Sequence, residues 1–334
     1  MLSKKIIVVG VLILAIIACA IPIQFLFGEL SPLHLQRLSH GVFVSEPTPF
    51  QPFFPTPTNT PEGFLIQDAL VPSAGLRAPS GLVNILLLGS DWRPGSGFRT
   101  DVLLLVSIFT KEGKVHLMSF PRDLYVQIPG MGQERINVTQ ASGGFPLTNA
   151  TFEYNFGIHL DHYIMTNFAG FQAIIDTLGG IDINAASNLT DRCDLPYSSN
   201  SYCSIGPGEK HLDGALALWY VRSRKTTSDF DRTRRAQEVL EGLFRKLMSL
   251  DAVARAPELF NLFINNVETD LSMSDILPLI DLAPKILADT NRGQRFSIGP
   301  EHVTPSSVSS TNAYVLTPNY ELIWQVILQA VYTP

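Results

Sequence analysis

Cysteine and positive charge are both scarce in this sequence, and each shortage argues against a class of function. The 334 residues carry 24 lysines and arginines against 30 aspartates and glutamates, a formal net charge of −6. Nucleic-acid binding depends on a broad basic surface, so no nucleic-acid partner is expected. Only three cysteines are present, without clustered histidines, which argues against a zinc site. Any anion site must therefore be local.

Two further kinds of catalytic centre are not indicated. Ser90 stands in "LGSD" rather than in the G-x-S-x-G turn of a hydrolase nucleophile, and no Ser–His–Asp order suggests a triad. His116 and His162 lie in apolar, strand-like segments. We predict that both are core or edge residues rather than metal ligands.

One long apolar run is present, and it lies at the N-terminus. Lys4 and Lys5 precede an uncharged, mostly apolar stretch over residues 6–27, and about twenty such residues suffice to cross a bilayer. Positive charge before the span predicts a cytoplasmic N-terminus, with residues 1–28 forming that terminus and one transmembrane anchor. A cleaved signal peptide and a lipoprotein cut at "IIAC", before Cys19, are the alternatives. Apolar residues continue beyond Cys19, which favours the uncleaved anchor.

A proline-rich stretch separates this anchor from the folded part. Residues 29–80 include "SEPTPFQPFFPTPTNTPEG", whose repeated prolines favour extended backbone, so we predict an extracytoplasmic linker. The folded domain is predicted over residues 81–334. Within it, Cys193 and Cys203 flank a polar loop, and an oxidising compartment would allow a disulfide to close that loop.

The domain mixes buried strands with helices. "VNILLLG", "DVLLLVSIF" and "VHLMSF" are continuous apolar runs, typical of strands buried on both faces, and the last two predict a hairpin. Helices are predicted around residues 150–156, in "GFQAIIDTLGG" and "HLDGALALWYVRSR", and over about 229–250; "HYIMTNF" and "IDINA" predict strands. This order predicts a three-layer α/β domain with a mostly helical C-terminal part.

The helix after residue 228 places two charges on its apolar face. At 100° per residue, Asp229 and Arg232 share the apolar stripe of the helix that includes Ala236, Val239 and Leu243. By the same angles, Asp231 and Arg234 fall on the outer face of the helix. A helix N-terminus disfavours a cation, so an inward arginine there suggests a bound anion. The alternative is that Asp229 and Arg232 simply pair with each other.

Aspartates and arginines also follow the predicted strands. "GSDWRPGSGFRTD" comes after the first strand, and "SFPRDLYV" ends the third. Strand ends are where α/β proteins bind ligands. Carboxylates suit Mg²⁺ and guanidinium groups suit phosphate oxygens, so these clusters together favour a site for magnesium-bound pyrophosphate.

These motifs, in this order, resemble the LytR–CpsA–Psr family of bacterial cell-envelope proteins. They are "GSDWR…FRTDVLLLVSI", "SFPRDLYVQIPG", "RINVTQASGG", "FQAIIDTLGGIDI" and "HLDGALALWYVRSR…SDFDRTRRAQ". The resemblance implies an α/β/α domain with a mixed central sheet and a hydrophobic lipid pocket, behind one transmembrane helix. It also implies a Mg²⁺-dependent phosphotransferase that moves a glycopolymer from a polyprenyl-pyrophosphate carrier to peptidoglycan or another envelope acceptor.

The resemblance also assigns residues. The implied metal ligands are Asp91 and Asp101. The implied pyrophosphate ligands are Arg99, Arg122, Arg222, Arg224, Arg232 and Arg235, among which Arg222 and Arg235 match positions of less certain role. The implied catalytic residues are Asp229, Arg122 and Arg232, with Asp229 near the reacting hydroxyl as a base or an orienting group.

The sequence departs from the family pattern at two positions. Asp231 replaces a glycine, which should be harmless on the outer face, and Ala236 replaces a glutamine, which could alter a phosphate contact. Two other functions stay open with the same residues. They are a non-catalytic envelope or regulatory protein that binds polyprenyl pyrophosphate, and a polyprenyl-pyrophosphate hydrolase.

Overall fold

The computed structural model describes residues 77–92, 97–223, 229–247, 265–280, 282, 289, 292–308 and 311–334. The predicted membrane anchor, Cys19 and the linker up to residue 76 lie outside these residues. Within the described part, no helix is both long and apolar enough to cross a bilayer.

Strands and helices are mixed along the chain. The strands are β1 (Leu82–Ser90), β2 (Thr100–Phe109), β3 (Lys114–Phe120), β4 (Tyr125–Ile128), β5 (Gly132–Arg135), β6 (His162–Asn167), β7 (Ile181–Ala185), β8 (Leu189–Arg192), β9 (Tyr202–Ile205), β10 (Gly208–Leu212), β11 (Val267–Thr269), β12 (Gly293–Ser297), β13 (Val303–Ser307) and β14 (Tyr314–Pro318). The α-helices are α1 (Thr139–Phe156), α2 (Phe168–Thr177), α3 (Gly214–Arg222), α4 (Asp229–Leu247), α5 (Met273–Ile280) and α6 (Tyr320–Ile327).

A mixed sheet lies at the centre, with the strand order β11–β6–β1–β2–β3–β12 among the described residues. β1 pairs antiparallel with β2 and parallel with β6, so Ser90 lies opposite Thr100 on one side and Asn167 on the other. The predicted β2–β3 hairpin is confirmed. Its turn includes Gly113, whose φ of 63° lies in the left-handed region that favours glycine.

Both faces of this sheet are covered, which explains the continuous apolar runs of β1 and β2. Ile85 and Leu87 pack on one face against α2, α3 and α4, whereas Leu86 and Leu88 pack on the other against α1 and α6. The helices on both faces confirm the mixed α/β layering.

The C-terminal part contains more strand than predicted. β12 pairs parallel with β3 at the sheet edge, β11 pairs with β6, and β13 pairs with β14. Their sequences, such as "GQRFS" and "VTPSS", have no apolar run because these strands are largely exposed. Likewise β7 pairs with β10 outside the central sheet, and α3 starts only at Gly214, after β10 and the capping residue Asp213.

The predicted disulfide is confirmed. Cys193 and Cys203 are bonded, with their Cα atoms 5.6 Å apart, and the bridge links the two sides of the β8–β9 hairpin within the buried core. Replacing both cysteines with alanine should lower the free energy of unfolding by about 2 kcal/mol, because the open loop has more freedom in the unfolded state. Urea denaturation with and without reductant checks this. Reductant should weaken the wild type only, and an equal effect on the variant would contradict the assignment.

His116 is a core residue, as predicted. It is 2% exposed, lies between the rings of Phe109 and Phe296, and its Nδ1 is 3.0 Å from the carbonyl oxygen of Ala330. Burial lowers its pKa below the ordinary 6.5; the Ala330 bond opposes this and the charge of Lys114 adds to it.

This burial predicts acid sensitivity. A lowered pKa in the folded state means that protons bind the unfolded chain more tightly. Stability that is fully present above pH 6.5 should therefore be lost as pH falls from 6.5 towards the pKa of folded His116. In urea denaturation between pH 8 and pH 5, the free energy of unfolding should fall less steeply with decreasing pH in His116→Gln than in the wild type. The control is His211→Gln, at an exposed ring; equal slopes in wild type and His116→Gln would contradict the prediction.

Candidate functional site

A cavity of about 350 Å³ lies between the central sheet and helices α2, α3 and α4. Most of its wall is apolar, formed by Leu87, Leu104, Ile164, Phe171, Ile174, Leu218, Val221, Val239, Leu240 and Leu243. Charged residues line it where β1 ends, β2 begins and β3 ends. We call Arg99, Asp101, Arg122, Arg222 and Arg232 the charged rim.

Asp91 and Arg99 close the loop between β1 and β2. The backbone N–H of Arg99 donates to Oδ1 of Asp91 at 2.6 Å, and the N–H of Asp91 donates to the carbonyl oxygen of Arg99 at 3.1 Å. The Arg99 guanidinium is 3.7 Å from Oδ2 of Asp91 and half exposed. This pairing fixes the loop backbone and brings Asp91 next to the charged rim.

Arg122 lies between two carboxylates. Its Nη1 is 2.5 Å from Oδ1 of Asp101, and its Nε is 3.3 Å from Oδ2 of Asp123. Arg135 approaches the far side of Asp123 at 3.7 Å. Asp101 belongs to β2 and Asp123 to the β3–β4 connection, so carboxylates from two segments hold the Arg122 guanidinium at the rim.

Helices α3 and α4 supply the rim's other two arginines. Arg232 is 5% exposed and lines the cavity with Ala236, which confirms the inward orientation that the helical angles predicted. Arg222 ends α3, and its guanidinium carbon lies 4.3 Å from the ring centroid of Phe168, the first residue of α2. This cation–π contact holds Arg222 above the apolar part of the cavity.

The sequence profile of the LytR_cpsA_psr family matches residues 66–313 of this chain. The chain belongs to the LytR_cpsA_psr family. It is 35% identical over 206 residues to the polyisoprenyl-teichoic acid--peptidoglycan teichoic acid transferase TagU of Oceanobacillus iheyensis, a match that covers 59% of this chain and 62% of TagU. The match spans about three fifths of the length of TagU from Oceanobacillus iheyensis and of two Bacillus TagU proteins.

Solved structures share the fold. The crystal structure of B. subtilis TagV superposes with a TM-score of 0.61 at 27% identity, covering 76% of this chain and 98% of TagV. The structure described as TagT bound to LIIa-WTA superposes with a TM-score of 0.55 at 26% identity, covering 76% of this chain and 92% of that one. The mixed sheet and its flanking helices are therefore the fold of LytR_cpsA_psr proteins.

The fold brings together most of the site residues that the LytR_cpsA_psr resemblance assigns. Arg99, Asp101, Arg122, Arg222 and Arg232 line one cavity, and Asp91 is bonded to Arg99 beside it. Arg224 lies outside the described residues. The structure describes the backbone of Asp229, which begins α4, but not its side chain.

Arg235 lies differently from expectation. Arg235 is assigned to the pyrophosphate but does not line the cavity; it is 1% exposed and bonded to the backbone of α3. Arg234 was predicted to lie on the outer face; it is half-buried there and bonded to the buried Glu238. Asp231 is half-exposed, in keeping with the predicted outer face, and pairs with Arg234 at 3.7 Å. Helical angles do not distinguish Arg235 from Arg232, because residues three apart lie on the same side of a helix.

The departure at Ala236 leaves space at the rim. A second cavity of about 10 Å³ lies beside this alanine, between Asp101, Ser119 and Arg232. The next residue, Gln237, is buried and donates from Nε2 to Oγ of Ser119 at 2.7 Å. In this LytR_cpsA_psr protein the glutamine therefore contacts β3, and the alanine faces the rim.

Sequence reasoning missed three residues of the cavity wall. The Ser90 hydroxyl is buried at the end of β1 and makes no hydrogen bond within the described residues. Asn167 caps α2 by accepting from the N–H of Gly170 at 2.8 Å, and Phe168 supports Arg222. All three lie at or just after the end of a strand that the sequence had predicted. Because α/β proteins tend to bind ligands at strand ends, this position was a signal that could have identified them.

Proposed function

We propose that this protein transfers a phosphate-linked glycopolymer from a polyprenyl-pyrophosphate carrier to peptidoglycan or another cell-envelope acceptor. The observation that carries the proposal is one cavity with an apolar wall and a rim of four arginines and an aspartate. A polyprenyl diphosphate has the matching parts, because its chain is apolar and its head group carries several anionic oxygens. TagU is named as a teichoic acid transferase that acts between a polyisoprenyl carrier and peptidoglycan, which supports the same class.

The arginines suit the head group better than any other part of such a donor. A guanidinium presents a planar fork of N–H donors that matches two phosphate oxygens. Arg122 and Arg232 are mostly buried, so their charges act in a medium less polar than water. The wall formed by Ile174, Val239 and Leu240 would take the first isoprene units of the chain.

Magnesium is part of the proposal, and the donors around the rim fit it. Mg²⁺ prefers oxygen ligands and is commonly held by one or two carboxylates together with substrate phosphates. Asp91 and Asp101 supply carboxylates, and the buried Ser90 hydroxyl lacks a partner within the described residues. Among the described residues, no three His, Cys, Asp or Glu side chains are placed to hold a metal ion by themselves, so phosphate oxygens would supply the further ligands. Bound Mg²⁺ would neutralise diphosphate charge.

The proposed reaction is a displacement at phosphorus. The acceptor hydroxyl oxygen forms a bond to the phosphorus attached to the glycopolymer, and the bond from that phosphorus to the polyprenyl-phosphate oxygen breaks. Polyprenyl phosphate leaves with the bonding electrons, and the hydroxyl proton is released. Arg122 and Arg232 would stabilise the oxygen charge that develops. Asp229, which begins α4, would accept the proton or orient the hydroxyl.

The proposed location is the outer face of the cell membrane. The apolar run over residues 6–27 would anchor the chain with its N-terminus in the cytoplasm, and residues 29–80 would lift the domain off the bilayer. The bonded Cys193 and Cys203 support this location, because disulfides persist in oxidising compartments outside the cytosol. Such a position would put the cavity within reach of membrane-borne donors.

The test is a reconstituted reaction. Full-length protein in detergent is incubated with Mg²⁺ and an oligosaccharide on polyprenyl pyrophosphate, with and without peptidoglycan, and products are separated by mass spectrometry. Linkage to peptidoglycan that chelator abolishes is the expected result. Release of the phosphorylated oligosaccharide to water at an equal rate without acceptor would instead make the protein a hydrolase. Binding without any turnover would make it a carrier-binding protein.

A further inference from the structure

Arg235 is buried away from the cavity and contacts the end of another helix. It is 1% exposed, its Nε donates to the carbonyl oxygen of Tyr220 at 2.8 Å, and its Nη2 donates to that of Ser223. Both carbonyls belong to the C-terminal end of α3, where the backbone leaves the helical conformation at Ser223. An arginine of α4 therefore caps α3.

This contact is electrostatically favourable for α3. The last carbonyls of a helix have no partner within it, and the helix dipole makes that end negative. The Arg235 guanidinium satisfies two such carbonyls, and its carbon lies 5.7 Å from the ring centroid of Tyr220. These contacts offset the cost of burying the charge, a cost that lowers the pKa of Arg235.

A second contact ties the same turn of α3 to α4. The Tyr220 hydroxyl donates to Oε2 of Glu238 at 2.7 Å, and Oε1 of Glu238 accepts from the N–H of Ala186 at 3.3 Å. Tyr220 is thus bonded to α4 through both its backbone carbonyl and its hydroxyl. We call Arg235, Tyr220 and Glu238 the helix clamp.

The helix clamp lies directly behind two rim arginines. Arg222 is two residues after Tyr220 on α3, and Arg232 is three residues before Arg235 on α4. Their guanidinium groups come from different helices, so the fit of both to one diphosphate depends on how α3 and α4 sit together. We infer that Arg235 is a positioning residue that sets the spacing of Arg222 and Arg232 for a diphosphate. This inference rests on the proposed donor.

The Arg235→Lys variant tests the geometry of this contact while keeping its positive charge. Lysine keeps the cation but presents a single ammonium instead of a planar fork, so it cannot reproduce the two carbonyl contacts made by Nε and Nη2 of Arg235. Misplacing a binding group by about 1 Å can cost as much as 100-fold in rate. Arg235→Lys should therefore weaken diphosphate recognition although no residue that lines the cavity has changed.

The experiment measures binding of geranylgeranyl diphosphate and of geranylgeraniol, which has the same chain without phosphate, to the full-length protein by calorimetry. Arg235→Lys should bind the diphosphate about tenfold more weakly and the alcohol unchanged. Arg245→Lys is the matched control, because Arg245 lies on the same helix and also donates to a backbone carbonyl, that of Asp182 at 2.9 Å. Tyr220→Phe removes the hydroxyl contact with Glu238 and should lower the affinity for the diphosphate by a smaller factor, again without changing the affinity for the alcohol.

A double-mutant cycle with Arg222→Ala tests whether Arg235 acts through the rim. The effect of Arg235→Lys on diphosphate binding should largely disappear in the Arg222→Ala background, because the two changes share one mechanism. Fully additive losses would mean that Arg235 acts independently of Arg222, and equal losses for diphosphate and alcohol would mean general damage; either overturns the inference. A wild type that binds both compounds equally would overturn the proposed donor as well, before any variant is compared.

Discussion

Replacing Arg122 with alanine is expected to slow the proposed glycopolymer transfer by about 100- to 1,000-fold, the usual cost of removing one charged contact from a developing oxyanion. Arg122 lines the cavity, and its guanidinium is held between Asp101 and Asp123 at 2.5 and 3.3 Å. Its loss would also leave the carboxylate of Asp101 without this cation beside an anionic substrate. The measurement is kcat/KM in the reconstituted transfer reaction.

Arg135→Ala is the matched control for Arg122. Arg135 contacts the same Asp123, at 3.7 Å, but does not line the cavity. Its replacement should leave kcat/KM within about threefold of wild type, because its contact of 3.7 Å is longer than a hydrogen bond and its side chain does not reach the cavity. Arg122→Lys should recover only part of the lost activity, because an ammonium lacks the guanidinium fork. Full activity in Arg122→Ala would remove this arginine from the proposed mechanism.

Filling the apolar part of the cavity is expected to have the second large effect. Leu240 is half-buried and lines the cavity from α4. Leu240→Trp would place an indole in the space proposed for the first isoprene units. A methylene-sized misfit in such a site costs about 10- to 200-fold, so KM for the polyprenyl donor should rise by at least about tenfold. The kcat value should change little, because the chain is bound equally in the ground and transition states.

The control places the same side chain on the opposite side of the sheet. Leu322 is a half-buried leucine of α6, the helix that packs against the other face. Leu322→Trp should leave KM unchanged while adding the same bulk to a helix surface. Circular dichroism of both variants checks that the fold is kept. An unchanged KM in Leu240→Trp would show that the lipid chain lies elsewhere.

Local patterns in the sequence determined a large part of this fold. β1, β2 and β3 were predicted from their apolar runs, because strands covered on both faces need no alternation. Arg232 was placed on the inner face of α4 because helical angles depend only on position along the chain. The motif order alone indicated the LytR–CpsA–Psr family, and the match to its profile confirms it.

Other features depended on contacts between distant segments. β12 has no apolar run, and its place at the sheet edge follows from pairing with β3, which lies far away in the sequence. Arg235 looks like any other arginine of "DRTRRAQ", yet the carbonyls that bind it lie at the end of another helix. Ser90 is notable only because burial leaves its hydroxyl without a partner in the described part of the chain. Periodicity and motifs therefore determined the elements and the residue types of the site. Only the packing of α3 against α4 decided that Arg235 binds the end of α3 instead of lining the cavity, because that contact joins two segments and neither sequence alone contains it.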